Sequence, residues 1–152
     1  MFSRLVLLFF LALSAVLIDA APVQADKRQI GNLQCNVDRV KIVSDIAGAK
    51  STVNTLATQL ASDPAGSDSI SQVSDGIANA QDGISQIAKS LFTGQQAPAD
   101  ARQQVEDGLT TATTALANIT STDPDVTSNL TKAQGQLQKA ATAGEGVLAN
   151  CK

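Results

Sequence analysis

The chain has 152 residues, 43% hydrophobic and 16% charged, with a net charge of −3 and no histidine, tryptophan or tyrosine. Without imidazole it lacks the commonest general base near neutral pH and the commonest metal ligand, which excludes a Ser-His-Asp triad, a Cys-His pair and an ordinary zinc site. Its acidity is mild and it has no basic cluster, which argues against nucleic acid as a partner, because phosphate binding needs a positive stripe.

The first segment, "MFSRLVLLFFLALSAVLIDAAPVQADKRQ", places Arg4 before an apolar run from Leu5 to Ile18 and ends in the small residues Ala20 and Ala21. A run of about 14 residues is short for a spanning helix, which needs roughly 20, and these flanks describe a secretory signal peptide over 1–20. Residues 21–28 read as a pro-segment ending in the dibasic pair Lys27-Arg28, a processing site, so the mature domain is expected over 29–152 with no transmembrane segment after signal removal. That domain carries eight Lys or Arg against twelve Asp or Glu, and Phe92 is its only aromatic residue. Its length suits one domain with one core.

Four segments then show apolar residues at helical spacing, separated by "SDPAGSD" (62–68), "TGQQAP" (93–98) and "STDPD" (121–125). The first runs Ile42, Ile46, Ala49, Val53, Leu56, Leu60, widened by Val43 and Ala57. The second runs Ile70, Val73, Ile77, Ala80, Ile84, Ile87, Leu91. The third runs Val105, Leu109, Ala112, Leu116, Ile119, and the fourth Val126, Leu130, Ala133, Leu137, Ala140, Gly144, Leu148. A three-four alternation is the seam of helices crossing at shallow angles. Asp123 before Pro124 is a capping pair, Pro98 can open the third helix in the same way, and Asp68 or Ser69 can cap the second. Asp38, Asp100 and Asp125 fall early enough to complement the positive helix ends.

"QVSDGI" (72–77) returns as "QVEDGL" (104–109), an offset of 32 residues. A duplicated calcium loop would need alternating oxygen ligands and a closing glutamate, and neither copy has them. The equivalent residues are core positions, so the echo is a repeated helical unit and no metal or cofactor is expected. Gly76, Gly83 and Gly108 then either allow close helix approach or leave a gap in the core.

Cys35 and Cys151 bracket the helices. An even number of antiparallel helices returns the chain to its starting end, so an all-α, up-down-up-down four-helix bundle would bring them together and one disulfide would close it. Intermolecular pairing is the alternative. "NIT" at Asn118 and "NLT" at Asn129 are N-glycosylation candidates, both at the end away from the cysteines.

The leader, the "DKRQ" site, the block "IGNLQCNVDRVKIVSDIAGAKSTVNTLATQL" (30–60) and the Ala/Ser/Thr-rich helices resemble small secreted proteins of filamentous fungi. More weakly, they resemble the hydrophobic-surface-binding and cell-wall galactomannoprotein family. The resemblance implies an extracellular or wall-associated all-helical protein that binds hydrophobic surfaces or carries fatty acids in a bundle, but transfers no ligand residue.

Three functions follow. The first is a non-enzymatic binder of lipid, fatty acid or hydrophobic surface, whose apolar ligand would be lined by Val53, Ile77, Ile84, Leu109, Leu116 and Leu137. The second is an effector or structural wall protein that meets a host or wall macromolecule and takes no small ligand. The third, a carboxylate-based glycosidase, is set aside: Asp75, Asp82, Glu106 and Asp107 read as a solvated face, and one phenylalanine is no platform for sugar rings. A monomeric non-enzyme is the expectation.

Overall fold

The computed structural model describes residues 33–151 as four helices: α1 (Leu33–Gln59), α2 (Pro64–Phe92), α3 (Ala99–Ala117) and α4 (Pro124–Asn150). They form the expected antiparallel bundle. Residues 1–32, including the leader and the Lys27-Arg28 site, lie outside the described residues.

Local chemistry sets the boundaries. Asp123 caps α4, its carboxylate accepting from the N–H groups of Asp125 (2.8 Å) and Val126 (3.3 Å), with Pro124 preset in the first turn. The same Asp-Pro device starts α2, which corrects the expected cap: Asp63, and neither Asp68 nor Ser69, accepts from Ala65 N–H at 3.1 Å ahead of Pro64. Most of "SDPAGSD" is therefore helix. Pro98 precedes α3 without a side-chain cap. Gly94, with φ 73°, makes the left-handed turn out of α2, and its N–H donates to the Leu91 carbonyl at 3.1 Å.

The helices associate as two close pairs, α2 with α3 and α1 with α4, with sparser contact between the pairs. Backbone approach holds the first pair. A Cβ added to Gly76 would lie 2.7 Å from both Ala112 N and Gly108 O, and one added to Gly108 would lie 2.6 Å from Ala80 N and Gly76 O. Gly83 meets Ala101 O at 2.7 Å in the same sense. These glycines bring the helices together, so the repeated "DG" pairs one close contact with its counterpart on the neighbouring helix.

Covalent and polar groups hold the second pair. Cys35 and Cys151 are disulfide-bonded with their Cα atoms 5.1 Å apart. Asn150 Nδ2 donates to Asp38 Oδ2 at 2.9 Å, and Thr52 Oγ1 donates to Gln136 Oε1 at 2.9 Å. At the far end Asn129 Nδ2 donates to Gln59 Oε1 at 3.1 Å. Asp38 thus stands beyond the first turn of α1 as a buried acceptor; Gln34 and Lys41 also engage it, and the Gly146 backbone packs against it.

Between the pairs lie the larger side chains, with Ile46, Val53, Leu56, Val73, Ile77, Leu116 and Leu137 almost wholly buried. Each such burial stabilises the fold by about 1.5–3 kcal/mol. It is this core, more than helix propensity, that holds helices so rich in Ser, Thr and Gly.

Candidate functional site

The expected ligand-lining residues do converge. Val53, Ile77, Leu109, Leu116 and Leu137 are buried in one cluster, and the half-buried Ile84 packs against it. They form part of the hydrophobic core. Ile84 is the only one of the six with appreciable access to solvent, and it lies in the last turns of α2, toward the disulfide end.

Three contacts set the helix registers. Lys50 Nζ meets Gln81 Oε1 at 3.1 Å, Gly83 faces Ala101, and Gly48 faces Gln136. Because the helices run antiparallel at about 1.5 Å per residue, α3 begins at Ala99 roughly level with Gln86, and the last turns of α2 face only the connection. With 19 residues against 27 in α1 and in α4, α3 is too short to cover its neighbours there. The α1–α4 pair runs on to its disulfide beyond it.

The uncovered surface is apolar. Phe92 is 93% exposed, Leu33 81%, Val40 67%, Leu148 60% and Val43 53%. Leu33, Val37 and Val40, at i, i+4 and i+7, share a face of α1 distinct from the one that Cys35, Asp38 and Ile42 turn inward. Ile87 and Leu91 on α2 are half-buried.

The sequence rhythm assigns Val43, Ile87, Leu91 and Leu148 to the core, and the structure corrects this: Val43 and Leu148 are exposed, while Ile87 and Leu91 are only half-buried where α3 stops short. Ala57 is likewise exposed, while Thr52 takes an inward position. The signal available beforehand was segment length, since the third periodic segment is visibly the shortest.

The other candidate residues are separate from this end. Asn118 is the exposed C-cap of α3, in the connection at the opposite end. Asn129 is half-buried in α4, and its Nδ2, the atom a glycan would use, is bonded to Gln59. Asp75, Asp82, Glu106 and Asp107 are exposed along α2 and α3. Among the described residues no cluster of His, Cys, Asp or Glu is placed to hold a metal ion, and no helix is long and apolar enough to cross a membrane.

No family model matches the chain, and neither curated proteins nor solved structures return a significant match.

Proposed function

We propose that the chain is a non-enzymatic secreted protein that binds lipid or a hydrophobic surface, at the wall or in the medium, through the open disulfide end of its bundle. The observation that carries this reading is the near-complete exposure of Phe92 together with Leu33, Val40 and Leu148 at one end. Single exposed apolar residues need no explanation, whereas a concentration of them marks a contact surface. The burial of Val53, Ile77, Leu109, Leu116 and Leu137 in one hydrophobic cluster supports adsorption at this end over carriage in an internal tunnel. The resemblance to hydrophobic-surface-binding proteins points the same way.

Adsorption of the purified mature protein to polystyrene beads, together with uptake of a fluorescent fatty acid, tests the reading. Phe92→Ser and Leu148→Ser should each weaken adsorption while leaving the helical circular-dichroism signal intact. A protein that ignores both beads and fatty acid contradicts the reading.

A further inference from the structure

The two glycan acceptors that the sequence offers stand in opposite settings. In the motif Asn118-Ile119-Thr120, Asn118 is the exposed C-cap of α3, and the chain from 119 to 123 runs outside any helix. Ile119 is buried and pins this connection to the core, while Asn118 and Thr120 on either side of it are exposed. Neither of those two side chains makes a hydrogen bond among the described residues. In the motif Asn129-Leu130-Thr131, both polar residues are inside α4. Asn129 is half-buried, with Nδ2 donating to Gln59 Oε1 of α1 at 3.1 Å, and Thr131 Oγ1 donates to the Thr127 carbonyl at 3.0 Å. Two positions apart on a helix, their side chains leave the axis about 160° from one another, so the hydroxyl cannot reach the amide.

We infer that Asn118 carries an N-linked oligosaccharide and that Asn129 stays unmodified. This rests on the proposed secretion of the chain and adds a covalent modification and its place. The donor is an oligosaccharide on a lipid diphosphate, supplied with its transferase in the secretory lumen. Asn118 Nδ2 bonds to the anomeric carbon, the bond from that carbon to the phosphate oxygen breaks, the lipid diphosphate leaves with the electron pair, and Nδ2 gives up one proton. The amide needs its neighbouring Thr hydroxyl in the same open segment, a requirement that a surface loop meets and a helix does not. Asn118 meets it before and after folding, whereas Asn129 is withdrawn as α4 closes on α1. A glycan on Asn129 would stand against Gln59 at the helix interface; on Asn118 it extends into solvent. It also falls about 40 Å from the disulfide end, the length of α4. It therefore hydrates the loop end and leaves Phe92 and Leu148 free to make contact.

Expression of the full chain in a eukaryotic secreting cell, followed by treatment of the secreted protein with peptide-N-glycosidase, tests the inference. The parent should lose the mass of one glycan. Release in heavy-oxygen water should label position 118 and leave position 129 unlabelled in peptide mass spectra. Asn118→Gln and Thr120→Ala should each abolish the mass shift, Thr120→Ser should keep it, and Asn129→Gln should shift like the parent. Secreted protein without a glycan overturns the inference and leaves secretion standing, as does a label at position 129. A shift that survives Asn118→Gln overturns it too. A chain retained in the cell with its leader uncleaved overturns both the inference and the secretion on which it rests.

Discussion

The two ends of the bundle carry the same apolar rhythm and meet opposite fates. At the loop end Leu60, Ile70, Ile119 and Val126 are all buried, and Asp63 and Asp123 cap the helices that start there. At the disulfide end Val43 and Leu148 continue the same pattern into solvent. Periodicity sets which way a side chain faces along its own helix; whether anything lies opposite depends on the lengths and registers of the neighbours. An exposed apolar surface has therefore arisen here from unequal helix lengths, with no change in pattern.

The disulfide is the sharpest place to break this comparison. Cys35→Ser/Cys151→Ser removes a cross-link spanning 116 positions and should lower stability by about 4–5 kcal/mol in the chain-entropy account. Thermal or denaturant unfolding measures the loss, and hydrogen exchange should show the same drop in the most protected core amides. Truncation of leucines contrasts core with open end directly. Leu116→Ala should cost about 2–5 kcal/mol, and Leu148→Ala should stay within about 0.5 kcal/mol, both read from urea midpoints. Comparable costs at the two sites would remove the distinction.

Glycines sharpen a second contrast, between the helix pairs. Gly108→Ala places a methyl group against backbone atoms of α2 and should destabilise by about 1–3 kcal/mol, despite gaining about 1 kcal/mol in helix propensity. Gly135→Ala in α4 meets nothing within 4 Å, so it keeps the propensity gain and should stabilise by about 0.5–1 kcal/mol. Melting temperatures moving in opposite directions are the expected outcome. Asp123→Ala removes the α4 cap and should cost about 1 kcal/mol, again from urea midpoints.

Much of this architecture was legible in the sequence for a physical reason: hydrophobic spacing and breaker residues are local signals. The four helices, the Asp123 cap and the buried positions from Ile46 to Leu56 and from Leu130 to Ala140 follow from such signals. The joining of Cys35 to Cys151 follows from counting helices. The Asp63 cap was equally local and was obscured by the alternative acceptor at Asp68. Whether Gly76 and Gly108 close or open the core depended on the register of two helices, which periodicity does not set. The open end was least legible. Leu33, Val37 and Val40 lie on an exposed face of α1 outside the core rhythm, and Leu148 looks like core until the length of α3 is compared with that of α4.

The central claim is that the disulfide end is the contact surface, and hydrogen–deuterium exchange of the protein adsorbed to polystyrene nanoparticles tests it most directly. The account predicts that adsorption slows exchange in residues 33–43, 84–92 and 144–150 and leaves the connections at 60–68 and 118–126 unchanged. Protection confined to those connections, with the disulfide end exchanging as in free solution, would contradict it.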